Sequence, residues 1–417
     1  MSAARGGLRA HWKMILAFLA VAGPGIITSN VDNDAGGIAT YSMAGAHFGY
    51  GLLWSLIPIM AVLVIVQEMS ARMGVVTGKG LSDLIRERFG VKITVYLLFG
   101  VVLTNFGNVI AEFAGVASSL EIFHVSRFIS VPTSAILVWL LVVKGTYRSV
   151  EKIFLYACLF YVTYLVSGFL ARPDWGEIGR NVVAPSLDLS AGRMGMLVGL
   201  VGTTIAPWMQ FYLQAAIVEK NLGARDYKHA RLDVILGSVV VTVVAGFIVL
   251  TCAATLFKAG IRVETAADAA LALKPLAGKY CSALFAFGLL NASLFAASIL
   301  PLSTAFLVCE GLGWENGVNK KFSEAPQFYG LYSFLVFLGA GIILIPGIPL
   351  FSVMYASQVI NGLVLPIILV FMLILVNDRK LMGDYANRRG LNLASWATAV
   401  LLIALTILYL LTLAGIV

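Results

Sequence analysis

The chain has 417 residues, of which 60% are hydrophobic and 12% are charged, and its mean hydropathy is +0.92. This composition excludes an ordinary soluble domain, because too few polar side chains are available to cover a surface in water. The formal net charge of +8 does not predict nucleic-acid binding, because the basic residues are spread over six short segments.

Apolar runs of about 20 residues, the length that crosses a bilayer, recur along the whole chain. We expect a single transmembrane domain over residues 1–417, surrounded by membrane lipid, in the inner membrane of a prokaryotic cell. Most Lys and Arg fall on one side if the N-terminus is cytoplasmic, which with eleven spans predicts an extracellular C-terminus. The predicted spans are about 14–46, 50–73, 93–119, 129–143, 152–171, 194–219, 232–257, 281–308, 328–346, 350–376 and 392–415.

The first span is interrupted by the segment Asp32-Asn33-Asp34-Ala35-Gly36-Gly37. A carboxylate at bilayer depth costs about 2.5–3.5 kcal/mol on insertion scales, so it usually marks an ion path or a binding site. Pro24 and Gly25 before the acids, and two glycines after them, disfavour an unbroken helix. The pattern predicts a broken helix with a cation site at the break; a helix-capping role for Asp34 is the alternative interpretation.

The sixth span carries Pro207 near its middle, directly after Thr203-Thr204-Ile205-Ala206. A mid-span proline removes one backbone hydrogen bond, and alone it indicates no more than an ordinary kink. Spans 1 and 6 each begin a run of five spans, however, and matching interruptions in two halves are typical of inverted-repeat transporters. The sequence therefore predicts a first repeat at about 14–171, a second at about 194–376 and one extra helix at about 392–415.

The segment GPGIITSNVDNDAGGIATYSMAGA, residues 23–46, resembles the first transmembrane segment of the Nramp metal-ion transporters. QEMSARMGVVTGKGL (67–81) is similar to their second span and the following loop, and NDRKLMGDYAN (377–387) to the loop after their tenth span. With GTYRSVEKIF (145–154) and ARPDW (171–175), the resemblance covers nearly the whole chain. It implies an all-α integral membrane protein of the LeuT/APC-like fold, with two inverted five-helix repeats and broken helices 1 and 6.

Two ligand positions of the Nramp pattern are changed in this sequence. The family's Asp-Pro-Gly-Asn stands as Asp34-Ala35-Gly36-Gly37, and its Met-Pro-His-Asn stands as Ala206-Pro207-Trp208-Met209. The loss of the thioether, and of side-chain volume, favours a hard and partly hydrated cation such as Mg²⁺ over a transition metal. The pattern resembles the Nramp-related magnesium transporter branch, for which the candidate metal-site residues are Asp34, Gly37, Thr203, Ala206, Gln210 and Asp32.

The contributions of three of these residues stay open at the level of sequence. Asp32 could contact the ion, attract cations in an outer vestibule or cap a half-helix. Thr203 would offer its backbone carbonyl by family position, whereas its hydroxyl could bond back to its own helix. Gln210 could touch a bound water or bridge two helices.

A proton route is the other feature that the resemblance would imply. Ordinary Nramp proteins carry sixth-span histidines and an acidic pair in the third span, whereas here the sixth span has no histidine, Glu112 is kept and Val109 stands at the other acid's place. We expect Glu112 to be a residual acid of that route, and cation entry by alternating access to follow the membrane potential without obligatory proton coupling.

The alternatives are a proton-coupled Mn²⁺/Fe²⁺ transporter of the ordinary Nramp type and a cationic organic-solute symporter of the same fold. Mn²⁺ could also be a substrate beside Mg²⁺. No nucleophile–base arrangement or HExxH motif indicates an enzyme, no cofactor is expected, and a monomer is the expected state.

Overall fold

The computed structural model describes residues 24–144, 158–184, 188 and 190–416. The predicted start of the first span, the segment GTYRSVEKIF and the beginning of the fifth span lie outside these ranges. The regular secondary structure of the described residues is entirely helical. This agrees with the all-α class expected from the apolar runs.

The first half of the described chain is a series of helices separated by short connections. Helix α4 is 41 residues long but bends at Gly90, whose φ of 82° lies in the left-handed region that glycine tolerates. The helices are α1 (Pro24–Val31), α2 (Ala35–Phe48), α3 (Leu56–Thr77), α4 (Leu81–Glu121), α5 (Arg127–Val143), α6 (Val162–Leu170) and α7 (Trp175–Val183).

The second half is also a series of helices, and its first span is broken between α8 and α9. Two of its later helices, α13 and α15, have 32 and 28 residues. A π-helical turn, Ala253–Phe257, extends α10. The helices are α8 (Ala191–Thr204), α9 (Pro207–Glu219), α10 (Tyr227–Cys252), α11 (Ala266–Ala270), α12 (Lys274–Ala277), α13 (Cys281–Leu312), α14 (Pro326–Ile343), α15 (Leu350–Asn377), α16 (Arg379–Met382) and α17 (Arg389–Leu413).

Each of the eleven predicted spans contains helix in its described part. Eight helical stretches of the described chain are long and apolar enough to cross a membrane, and α5 is a shorter apolar helix. The chain is therefore a multi-pass membrane protein. The direction in which its termini face remains a prediction.

Two of the connections between predicted spans contain helix. Residues 171–193 include α7, whose first turn is capped by Asp174; the amides of Gly176 and Glu177 donate to its carboxylate at 2.9 and 3.0 Å. The donated N–H of Glu177 is the main cause of a lowered pKa for this exposed acid. Residues 258–280 include α11 and α12. Both segments are held by short-range capping contacts that apolar periodicity does not report.

Both predicted helix breaks are present, at matching places in the two halves. Asp32, Asn33 and Asp34 separate α1 from α2, and Ile205 and Ala206 separate α8 from α9. Asp34 is the extended N-cap of α2, and Pro207 occupies the first turn of α9 behind an extended Ala206. Proline fits a first turn because the amide it lacks would have no intrahelical partner there.

Missing side chains let α8 and α15 cross with their backbones in contact. A Cβ at Gly202 would lie 1.9 Å from the carbonyl oxygen of Gln358 and 2.3 Å from the amide nitrogen of Gly362. A Cβ at Gly362 would lie 2.3 Å from the carbonyl oxygen of Val198. Any larger residue at either glycine would separate the two helices.

Helix α1 is anchored at its first turn on α10. The amide of Gly25 donates to Oδ2 of buried Asp233 at 2.7 Å, and a Cβ on Gly237 would lie 2.7 Å from Oγ of Ser29. An acid at a helix N-terminus satisfies amides that lack intrahelical partners. The short helix before the first break is therefore fixed by long-range contacts.

Candidate metal site at the two helix breaks

The first break is organised around the N-terminus of α2, which lies inside the protein. Oδ1 of Asp34 accepts a hydrogen bond from the amide of Gly37 at 2.7 Å, and Oε2 of Glu112 on α4 accepts one from the amide of Ala35 at 3.3 Å. The first amides of a helix need such acceptors because they have no intrahelical partner. The capping interpretation of Asp34 is thus confirmed, and capping occupies one of its two carboxylate oxygens.

The residues before Asp34 bring polar atoms into the same interior without pairing them. Asp32 and Asn33 are each 1% exposed, and none of their side-chain oxygen or nitrogen atoms has a hydrogen-bond partner among the described residues. The carbonyl of Asn33 accepts a hydrogen bond from the hydroxyl of Tyr161 at 2.7 Å. Unpaired buried polar groups are costly, so this cluster is suited to a hydrated cation that would supply the partners.

The second break contributes neutral oxygen. Pro207 has no N–H to donate to the carbonyl of Thr203 four residues earlier, so the proline frees that oxygen from the helix. The Thr203 hydroxyl is buried and has no partner among the described residues. The neighbouring Thr204 hydroxyl is by contrast engaged, at 2.8 Å from both the hydroxyl of Tyr41 and the carbonyl of Leu200.

The two breaks meet in front of Gly37. A Cβ at Gly37 would lie 2.6 Å from the carbonyl oxygen of Asp32, 3.2 Å from Oγ1 of Thr203 and 3.4 Å from Oδ1 of Asp34. Oxygens of both breaks therefore surround the space that the absent side chain leaves. The structure brings together four of the six predicted site residues at this point.

The remaining two predicted residues occupy other positions. Ala206 is the buried N-cap of α9, and its carbonyl accepts a hydrogen bond from the amide of Met209 at 3.1 Å. Gln210 bridges α9 to α3: its Oε1 accepts from Nε2 of Gln67 at 3.4 Å, and its carbonyl accepts from the hydroxyl of Ser70 at 2.6 Å. The helix-bridging interpretation of Gln210 is confirmed, and its Nε2 has no hydrogen-bond partner among the residues that the structure describes.

Sequence reasoning missed several residues that shape the site. Tyr161 and Gln67 hold its two breaks through contacts that are distant in sequence. Nε2 of Gln358 lies 1.8 Å from where a Cβ of Gly36 would stand, and its Oε1 accepts from Asn361, which exchanges two 3.0 Å hydrogen bonds with Asn108. The one signal for Gln358 and Asn361 was polar residues inside an otherwise apolar span.

The position on α4 where the family pattern has a second acid is occupied by a buried apolar side chain. Val109 is fully buried, and its Cγ1 would lie 2.8 Å from a Cβ at Gly339 of α14. Trp208, in the place of the family histidine, is buried too, and its ring lies 6.1 Å from that of Tyr212. Glu112 accepts its hydrogen bond from the amide of Ala35, the residue next to Asp34.

The site is closed toward the end of the bundle that the basic residues predict to be cytoplasmic. Arg72 pairs with Glu68 at 3.2 Å, and it donates to the carbonyl of Tyr385 and to Oδ1 of Asn387 at 2.9 and 2.6 Å. The Tyr227 hydroxyl bonds Glu68 from the start of α10. These contacts, which we call the inner latch, join α3, α10 and the loop after α16.

A cavity of about 770 Å³ opens at the opposite end, where α2 ends. Charged residues of both signs line it, among them Glu121, Arg127 and Glu264. Asp32 and Asp34 are 1% and 4% exposed, so the paired breaks are shielded from both ends.

The donor set is unlike a resident metal centre. No group of three or more His, Cys, Asp and Glu side chains that could hold a metal occurs within the described ranges. A cation here would instead be surrounded by hard, mostly neutral ligands: the Asp34 carboxylate, the backbone carbonyl of Asp32, the Thr203 oxygens and bound water. Such a set fits a transported ion that must leave again.

Helices broken at matching places in two halves, with polar groups at the breaks, define a membrane transport protein of the LeuT-type fold. In agreement, a manganese transporter of Eremococcus coleocola superposes with a TM-score of 0.74 at 22% identity, covering 97% of this chain and 87% of the other. A nucleobase-cation-symport-1 family transporter superposes with a TM-score of 0.59 at 14% identity, covering 95% and 92%.

The family follows from the sequence comparisons. Residues 25–412 match the family described as "Natural resistance-associated macrophage protein-like". The "Divalent metal cation transporter MntH" of Deinococcus radiodurans is 30% identical over 406 residues, which are 94% of this chain and 89% of the relative. The chain belongs to the Nramp family.

Proposed function

We propose that this protein moves divalent cations into the cell by alternating access at the paired helix breaks. The substrate that the site favours is partly hydrated Mg²⁺, with Mn²⁺ as a further substrate. The names of the relatives, a divalent metal cation transporter and a manganese transporter, support the cation class. The choice of Mg²⁺ rests on the site itself.

The observation that carries the proposal is the set of oxygens around the missing side chain of Gly37. An acid, a backbone carbonyl and a hydroxyl converge there, while Gly37 and Ala206 replace an amide and a thioether of the family pattern. Mg²⁺ prefers oxygen, loses its water reluctantly and is usually held by one or two carboxylates. Room for retained water is therefore what such a site must supply.

Uptake without a proton relay is supported by the same region. Val109 is packed against α14, Trp208 against Tyr212, and Glu112 is bonded to the amide of Ala35. The membrane potential can drive the ion instead: each charge gains about 2.3 kcal/mol per 100 mV, which for a divalent cation is about 4.6 kcal/mol.

Release requires the inner latch to open. The latch is connected to the second break through α3, because Gln67 of α3 bonds Gln210 of α9. The loop that carries Tyr385 and Asn387 comes shortly after α15. A cation bound at Asp34 offsets the negative charge buried at the first break. Opening of the latch toward the cytoplasm would then let water reach the ion from the inside.

The experiment that tests the proposal is uptake into proteoliposomes at a fixed K⁺ diffusion potential, with Mg²⁺-sensitive and pH-sensitive dyes in the lumen. Asp34→Asn preserves an N-cap but removes the charge, so Mg²⁺ uptake is expected to fall at least about 100-fold. Asp188→Asn, the same change at an exposed position outside the breaks and the inner latch, should leave uptake unchanged. Mg²⁺ influx that depends on Asp34 and leaves luminal pH constant supports the proposal.

One observation favours a second candidate, proton-coupled Mn²⁺/Fe²⁺ transport. Glu112 accepts from the amide of Ala35, the residue after Asp34, so a second carboxyl that could carry a proton lies at the same helix break. Mn²⁺ influx with matched luminal acidification, and without a Mg²⁺ signal, would replace the Mg²⁺ proposal by this one.

A further inference from the structure

A cavity of about 550 Å³ lies at the latch end of the bundle, between the start of α4, the end of α15 and the start of α17. Arg88, Arg379 and Lys380 line it, opposed by the single acid Asp378. This volume is in the usual range for small-ligand sites. The cavity is separate from the paired helix breaks, and nothing in the transport cycle described above uses it.

The cations of this cavity are poorly neutralised. Arg88 reaches Asp378 at 3.5 Å with 57% of its side chain still exposed, and Oδ1 of Asp378 already accepts from the amide of Lys380. Arg379 and Lys380 are exposed and have no ion pair in the portion of the chain that the structure describes. The cavity thus presents a net positive surface of the kind that binds phosphate groups.

The other wall of the cavity is apolar. Leu373 and Ile374 of α15 and Trp396 of α17 line it, with Ile374 and Trp396 exposed at 36% and 38%. Leu393, one turn before Trp396, is 72% exposed. Tryptophan at a helix end is typical of the membrane–water interface, where lipid headgroups lie.

Asn392 adds a neutral polar group to the same wall. Its Oδ1 is buried and has no hydrogen-bond partner among the described residues. A ligand with hydroxyl groups could donate to this oxygen. A glycerol headgroup carries such hydroxyls next to its phosphate.

We infer that this cavity binds the headgroup of an anionic phospholipid, with its phosphate on Arg88, Arg379 and Lys380 and its acyl chains along Ile374, Leu393 and Trp396. A free phosphate shares the headgroup's charge but not its chains. The apolar wall therefore favours the lipid over the soluble anion. Basic pockets between helices at the cytoplasmic side of a membrane are a general means of recognising acidic lipids.

Binding here would act on the loop that carries the inner latch. Residues 379–388 connect the cavity to Tyr385 and Asn387, which accept the hydrogen bonds of Arg72. A lipid headgroup on Arg379 and Lys380 would hold the beginning of that loop against α4. The lipid would thereby stabilise the partners of Arg72 in their present position.

The test uses the full-length protein in detergent, with retained lipid counted by native mass spectrometry. The probes are phosphatidylglycerol, phosphatidylcholine and inorganic phosphate. The double variant Arg379→Gln/Lys380→Gln is compared with Arg225→Gln/Lys228→Gln, which removes the same charge from exposed positions at the same end. We expect phosphatidylglycerol affinity to fall about tenfold or more in the first variant and to be unchanged in the second.

A second readout reports the acyl chains. Phosphatidylglycerol with brominated chains should quench Trp396, seen as the difference between the wild type and Trp396→Phe, and the quenching should disappear in Arg379→Gln/Lys380→Gln. Equal affinity in all variants, or equal binding of phosphatidylcholine, would overturn the inference. Displacement of the lipid by equimolar inorganic phosphate would show a site for a soluble anion and would overturn it too.

Discussion

The two helix breaks occupy equivalent places in the two halves but are built from different chemistry. The break between α1 and α2 contains two acids and an asparagine, whereas the break between α8 and α9 contains no charge and depends on a proline. The first supplies negative charge, helix amides and the space at Gly37; the second supplies neutral oxygen and, at Ala206, a small side chain in the place of a thioether. In our proposal, the charge that attracts the cation belongs to one repeat, whereas the space that holds it lies between the two.

The strongest test of this comparison is to fill the space where the two helix breaks meet. Gly37→Ala places a Cβ 2.6 Å from the carbonyl of Asp32, so one of them must move. Overpacking of this kind costs about 1–3 kcal/mol, and we expect Mg²⁺ uptake to fall at least about tenfold. Gly100→Ala on α4, where a Cβ meets no atom within 4 Å, is the matched control. Normal uptake by Gly37→Ala would exclude the space in front of Gly37 as the ion site.

A smaller effect is expected from the second break, where the contribution is a freed carbonyl. Pro207→Ala restores an amide that can hydrogen-bond the carbonyl of Thr203 and extend α8. We expect uptake to drop severalfold, by about 1 kcal/mol of lost hydrogen-bonding capacity toward the ion. Pro132→Ala, an in-helix proline of α5 away from the site, should transport normally. Initial uptake rates of the two variants at equal protein density decide the matter.

The smallest effect on Mg²⁺ itself is expected from Ala206→Met, which returns a thioether to the second break. Mg²⁺ uptake should change by less than about threefold, while Cd²⁺ and Mn²⁺ should compete better, because soft sulfur selects soft metals. The measurement is the concentration of Cd²⁺ that halves Mg²⁺ uptake. Ala215→Met, a buried position two turns along α9, controls for the added volume. Equal Cd²⁺ inhibition in both variants would mean that residue 206 does not face the ion.

Both breaks could be predicted because each has a local sequence signal. The first has acids followed by glycines, and the second has a proline inside an apolar run. The lengths of the apolar runs also predicted where helix lies in the described part of each span. The start of α4 was missed because Leu81–Phe89 is charged and lies outside the apolar run that begins near residue 93. Hydropathy detects the membrane-embedded part of a helix and not its polar extension.

What the sequence did not predict are contacts between distant segments. Tyr161 bonds the first break from 128 positions away, and Asp233 holds Gly25 from 208 positions away. Gln67 and Gln358 likewise act through neighbours on other helices. No local pattern distinguishes these polar residues from others inside apolar spans, because their partners are set by how the helices pack. The candidate ligand set therefore follows from the motifs, whereas its supporting contacts require the structure.

The glycine crossing of α8 and α15 has a mechanical consequence. With no side chains between them, α8 and α15 are expected to move together, and the carbonyl of Thr203 lies at the end of α8, beside the break at Ile205 and Ala206. A tilt of α15 would then displace that carbonyl oxygen as well. Under the proposed function, the same movement that opens one end of the protein would weaken binding of the cation, so opening and release would be coupled directly through these two helices.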